Sequence, residues 1–272
     1  MTSKPGHDPG ARTVDTVTLP ELAWPAGFVI AMAWAVWHMP RMLVSLGLGT
    51  EGLARQTANA TTIDWLSVIA AIICLGGGLA SLKPRPIEVA PRNVFDRLGL
   101  FIGRGCMMLV ALTVAVMFIE VVMRYLLARP TLWANELSLW LAGFVFALSG
   151  VYAMQQRSHI AITLLHDAVP TWLRRVFDIV STALIVAFAA CLTWGAFNEA
   201  RDKFFRWETF GTAFDPPIPA TLKPLIILVV ILIAVQAVVN LVADWSRLAR
   251  AVSSAENELI GTLRTAGEEG GR

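Results

Sequence analysis

Six stretches of this 272-residue chain are each long and apolar enough to cross a lipid bilayer, which rules out most folds open to a chain of its size. A spanning helix needs roughly 20 mostly apolar residues. Within hydrocarbon only helices and closed barrels satisfy every backbone N–H and C=O, and runs this long have the dimensions of helices. They cover residues 22–48, 63–82, 98–125, 132–154, 173–197 and 222–245. The first is interrupted by His38, Pro40 and Arg41, so it is expected to be kinked or shortened, because Pro40 removes a backbone donor. The expected fold is an all-α integral membrane protein of about six transmembrane helices.

Composition agrees with this reading. Hydrophobic residues make up 56% of the chain and charged residues 15%, against about 45–50% and 25% in soluble domains. A net charge of +2 gives nucleic acid no foothold. Cys74, Cys106 and Cys191 lie inside apolar runs at spacings that fit neither zinc nor a disulfide framework, so they read as small buried hydrophobes. Residues 1–21 lack the basic-then-apolar pattern of a cleaved leader and are expected to form a disordered cytoplasmic tail. Residues 246–272 read as a charged cytoplasmic tail.

Lysine and arginine set the orientation. With the N-terminus cytoplasmic, the outer side receives eight of the 22 basic residues: Arg41, Arg55, Arg124, Arg129, Arg201, Lys203, Arg206 and Lys223. The remaining fourteen lie inside, so both termini are expected in the cytoplasm. Glu199, Asp202, Glu208 and Asp215 largely offset the outer set. Trp65, Trp133, Trp172 and Trp245 fall at span ends, where an aromatic belt is expected. The longest outer loop is read over residues 198–221. Residues 22–82 form two additional N-terminal helices and 98–245 a four-helix unit. The connecting 83–97 is either an interfacial amphipathic helix or a solvated linker.

Charged groups inside a bilayer are costly and therefore candidate functional groups. Glu120 lies four residues before Arg124, which predicts an ion pair one helical turn apart; an ion or proton site is the alternative. Asp178 and Arg174 have the same spacing. His38 lies at a different depth from His159 and His166, which disfavours a transmembrane heme. Gly76, Gly77 and Gly78, with Gly143 and Ala147, predict close helix packing, and Gln236 and Asn240 predict hydrogen bonds between helices. The sequence contains no Ser-His-Asp set, carboxylate pair or nucleotide motif, so neither an enzyme nor a cofactor is expected.

One stretch is more specific. Glu120, Arg124 and Tyr125 close the third span. Pro130, Trp133, Glu136, Trp140, Phe144 and Gly150 follow, and Arg157, His159 and Ile160 come after the fourth span. In order and spacing this resembles the small membrane subunit (DctQ type) of tripartite ATP-independent periplasmic, or TRAP, transporters, over about residues 92–245. Family members often carry Asn in place of Glu120, a second acid in place of Asn135 and Asp in place of Thr163, and the usual form has four helices. The resemblance implies a multi-pass protein of the bacterial inner membrane with no catalytic role. It would scaffold a large sodium-coupled elevator subunit that takes up an organic acid delivered by a periplasmic binding protein. It also implies structural or partner-contact roles for Glu120, Arg124, Tyr125, Trp133, Glu136, Trp140, Arg157 and His159, with Arg124 and Glu136 pairing across the outer hairpin. Arg201, Lys203, Arg206 and Lys223 would face the binding protein. The competing reading is a heme- or quinone-associated anchor of a respiratory complex.

Overall fold

A computed structural model describes residues 19–85, 88–157 and 170–269. All regular structure among these residues is helical: α1 (Leu19–Trp37), α2 (Met39–Ser45), α3 (Glu51–Gln56), α4 (Thr62–Ser81), α5 (Val94–Val121, continued by a π-turn over Val122–Leu126), α6 (Trp133–Gln155), α7 (Thr171–Arg206) and α8 (Ile218–Glu269). Five helices are long and apolar enough to span a membrane by themselves. The sixth candidate is the pair α1 and α2, bent by 60° at His38. Pro40 is the cause: it lacks the N–H that would continue the ladder, and its ring collides with the carbonyl four residues back. The chain turns by donating His38 N to Trp34 O and Arg41 N to His38 O.

The principal packing contacts run in series. α4 packs on α1, α1 on α5, α5 on α6, α6 on α8 and α8 on α7. Small residues set the closest approaches. A methyl on Gly78 of α4 would stand 2.2 Å from the Phe101 ring of α5, and one on Gly143 of α6 would stand 2.4 Å from Leu222 of α8. The buried core of Leu82, Leu100 and Phe101 is completed by Trp24, Phe28, Leu75, Leu79 and Tyr152. That core therefore joins the two N-terminal spans to the four-helix unit. Without aqueous solvent there is little hydrophobic drive between spans, and close van der Waals packing takes its place.

Two ends of the helix array can be distinguished. At the linker end α4 finishes, α5 begins and α6 finishes; at the distal end α1 bends, α5 turns into α6 and α7 turns into α8. Helix α5 starts at Val94, not at Leu98 where the apolar run begins. Asn93 and Asp96 form a capping box that takes up free N–H groups of the first turn, and the connection before it, from Leu82 to Asn93, is non-helical where described. Helix α7 continues through Asn198 to Arg206, about 13 Å beyond the apolar run at 1.5 Å per residue. The loop expected over 198–221 is therefore shortened to 207–217. Helix α8 likewise continues past Trp245 to Glu269. Of the cysteines only Cys106 is buried; Cys74 is half-buried and Cys191 exposed, because a bilayer-facing position satisfies a small apolar group as well as a core does.

Candidate functional site

At the distal end the chain closes around Glu120. Its carboxylate is almost fully buried and accepts hydrogen bonds from Arg124 Nε at 3.0 Å and Nη2 at 2.5 Å, from Thr131 N at 3.1 Å, and from the Thr131 hydroxyl. The side chain thus ties the last turn of α5 to the start of the α5–α6 turn. A π-turn makes this possible: with Leu127 N bonded to Val122 O, Arg124 and the following loop fold back over Glu120. Arg124 remains half-exposed, Tyr125 projects outward, and Ala128 takes a left-handed backbone conformation (φ 51°) to complete the reversal.

Arg124 does not pair with Glu136. The four-residue spacing within α5 supplies the nearer acid, Glu120, and Glu136 instead accepts from the Thr212 hydroxyl at 2.5 Å in the α7–α8 loop. Trp140 is buried and donates its Nε1 to Thr221 Oγ1 of α8 at 2.8 Å. Trp37 packs on Trp140 with ring centroids 6.1 Å apart and on Phe214 at 5.7 Å. Trp133, the first residue of α6, is partly exposed. Four segments distant in sequence therefore meet at the distal end through the aromatic and hydroxyl groups of α1, α6, α8 and the 207–217 loop.

The four cations at the distal end of α7 and the start of α8 are not equivalent. Lys203 pairs with Glu208 of the following loop at 2.5 Å, and Lys223 of α8 pairs with Glu199 of α7. Arg201 and Arg206 are exposed and make no ion pair among the described residues. The N-terminal segment reaches this region: Thr50 N donates to Phe205 O at 3.4 Å. Asp64, fully buried at the start of α4, accepts from Trp34 Nε1 at 3.1 Å and from Thr61, with Arg41 3.9 Å away. His38 lies stacked on Trp34, its Nδ1 3.0 Å from Trp34 O.

A second polar node, not anticipated from the sequence, occupies the linker end. Arg104, one of the buried residues of α5, donates to Lys83 O at 2.5 Å and lies 3.6 Å from the equally buried Glu88. Glu88 in turn accepts from Arg85 N at 2.8 Å. Gln155 and Gln156 at the end of α6 grip the backbone of Val89. Asp96 accepts from Gln236 Nε2 at 2.7 Å, Gln236 from there reaches Asn240, and Asn240 donates to Met154 O. The predicted interhelical role of Gln236 and Asn240 is thus present, joining α5, α6 and α8. Arg157 forms a two-point ion pair with Asp244 at 2.7 and 2.8 Å. His159 lies outside the described residues, as does the side chain of Arg174.

The signal for the linker node was present but weak. Glu88 stands sixteen residues before Arg104, and no helical spacing connects the two, since a non-helical segment intervenes.

Three comparisons with known proteins bear on this arrangement. Residues 113–247 match the family model described as tripartite ATP-independent periplasmic transporters, DctQ component. The C4-dicarboxylate TRAP transporter small permease protein DctQ of Vibrio cholerae is 28% identical over 133 residues, 47% of this chain and 57% of that protein. The sialic acid TRAP transporter small permease protein SiaQ of the same organism is 29% identical over 104 residues, 38% of this chain and 60% of that protein. The chain spans just under three-fifths of the length of the first of these relatives. No solved structure matches it. The matched region begins in the distal half of α5 and takes in the Glu120 node, Trp140, the α7–α8 loop and the first part of α8, and in that region this multi-pass membrane protein belongs to the DctQ component family of the TRAP transporters.

Proposed function

We propose that this chain is the non-catalytic small subunit of a TRAP transporter. It would scaffold a large sodium-coupled membrane subunit that takes up an organic acid handed over by a periplasmic binding protein. The observation that carries this reading is the region of family likeness, residues 113–247, together with what that region does structurally. Its polar groups within the spans, Glu120 with Arg124 and Gln236 with Asn240, are bonded to one another within the fold. Groups committed in this way hold helices in register and are poor candidates for binding and releasing an ion.

On this reading both termini are cytoplasmic, which places the distal end in the periplasm and the linker end at the cytoplasmic face. The domain division is 1–21, 22–82, 83–97, 98–245 and 246–272. Tyr125, Trp133 and the half-exposed Arg124 would present the distal hairpin to the large subunit. Glu120, Glu136 and Trp140 act behind them by fixing the hairpin, and Arg157 and His159 hold the cytoplasmic end of α6. Arg201 and Arg206, left free of intrachain partners among the described residues, are the outer cations available to an acidic surface on the binding protein.

The deciding experiment is a mild-detergent pull-down of tagged protein from its native membrane, followed by mass spectrometry. Recovery of a membrane protein of roughly twelve spans is expected. Recovery of the chain alone, or with flavin or iron–sulfur subunits, overturns the proposal and favours the respiratory-anchor reading. A second check separates the cations. Arg201→Glu with Arg206→Glu should lower uptake by the assembled transporter, and Lys203→Gln with Lys223→Gln should lower it less. Equal effects would remove the arginines from the contact.

A further inference from the structure

The connection between α4 and α5 carries the charge of a membrane-surface patch, and its acids are turned away from that surface. Between residues 83 and 97 the chain has four basic side chains, Lys83, Arg85, Arg92 and Arg97, and two acids, Glu88 and Asp96. Both acids are consumed inside the protein. Glu88 lies buried against Arg104 and caps Arg85 N. Asp96 caps the first turn of α5 and accepts from Gln236. No ion pair joins any of the four cations to a carboxylate among the described residues. Two of them are also drawn to the same place. Arg97 donates to Leu79 O at the carboxyl end of α4 at 3.1 Å, Lys83 follows that end directly, and the Lys83 carbonyl is held by Arg104.

Apolar groups lie beside these charges. Val94 is 70% and Phe95 43% exposed, and both stand in the first turn of a helix that goes on to cross the membrane. A segment at the end of a bilayer-crossing helix, with exposed apolar side chains next to uncompensated cations, has the composition of a surface that inserts shallowly and meets negative headgroups. A soluble anion would match the cations but leave Val94 and Phe95 in water.

We infer that Lys83, Arg85, Arg92 and Arg97 form a binding site for anionic phospholipid headgroups on the leaflet at the linker end, with Val94 and Phe95 seated at the headgroup–acyl boundary. The buried Glu88–Arg104 pair shapes the site: by holding the connection down against α5 it turns the cations toward the lipid. This inference does not depend on the transporter reading, because it concerns the chain and the bilayer alone.

The test is reconstitution of the full-length protein in phosphatidylcholine membranes. Association of spin-labelled phosphatidylglycerol is compared with that of spin-labelled phosphatidylcholine by electron paramagnetic resonance. The expected result is a preference of roughly fivefold or more for the anionic label, since each cation near a charged surface adds appreciable attraction. The preference should weaken as salt is raised. In K83Q/R85Q/R92Q/R97Q it should fall toward one. K83Q/R92Q changes two side chains that make no hydrogen bond among the described residues; it should give an intermediate preference with an unchanged melting temperature. Equal association of the two labels with the wild-type protein overturns the inference, as does full preference in K83Q/R92Q. Displacement of phosphatidylglycerol by inorganic phosphate beyond that by chloride at matched ionic strength would identify a free-anion site and also overturn it.

Discussion

Arg104 shows how a single charge can be made tolerable near a membrane. An arginine within a spanning helix is costly, and here the cost is met by a carbonyl and a buried carboxylate from the connection before the helix. Removing one member of such a pair leaves the other buried and uncompensated, which typically costs about 3–5 kcal/mol, whereas replacing both can be close to neutral. Glu88→Ala should therefore lower the melting temperature of the purified protein sharply, and Glu88→Ala with Arg104→Met should recover most of the loss. If the double variant melts no higher than the single one, the pair is not what holds the connection. Trp140→Phe keeps an aromatic ring but removes the N–H bonded to Thr221 and part of the buried ring volume, for an expected loss of about 1–3 kcal/mol. The Glu120–Arg124 pair was legible from its four-residue spacing, because helix geometry alone brings i and i+4 together. The Glu88–Arg104 pair was not, since its partners meet only after a non-helical segment folds back. The expected Arg124–Glu136 pair failed for a related reason. Whether Glu136 reaches back across the turn depends on how the chain closes there, and it closes toward Thr212.

At the level of the helix, glycines decide how closely the spans approach. The three adjacent glycines of α4 have different surroundings. A methyl at Gly76 would meet open space, one at Gly77 would stand 2.7 Å from the Trp24 ring, and one at Gly78 would stand 2.2 Å from Phe101. Gly78→Ala should thus destabilise the protein by about 1–3 kcal/mol through overpacking, with Gly76→Ala near neutral. A thermal melt that ranks these two variants the other way would contradict the packing of α4 against α5. Sequence marked this triplet as a packing motif but could not say which glycine faced which helix, because that depends on the rotation of α4 about its axis. Span existence was readable because hydropathy is a property of each run alone. Span ends were less so: the capping box at Asn93 and the polar turns of Asn198 to Arg206 extend helices past their apolar runs. The break at Pro40 was foreseeable, the 60° angle was not.

For the whole molecule, the consequence of this packing is that the two N-terminal spans are integral to the fold. Phe101 and Leu100 of α5 are buried in part by Trp24, Phe28, Leu75 and Leu79, and Arg104 is neutralised from the connecting segment. A chain beginning at Asn93 should therefore accumulate poorly in membranes. Carrying Arg104→Leu in addition should improve its yield, as measured by immunoblot of membrane fractions. The family likeness, which begins at residue 113, gives no hint of this dependence.

The contact between Thr50 and Phe205 also carries a consequence for the order of biosynthesis. Ribosomes deliver a chain from its N-terminus at a few residues per second, so the segment after the bend at His38 emerges long before its resting place on α7 exists. It must wait until most of the protein has followed. Closure at Thr50 is thus a late event that waits for α7. A product truncated before Phe205 would leave Thr50 N without its carbonyl partner.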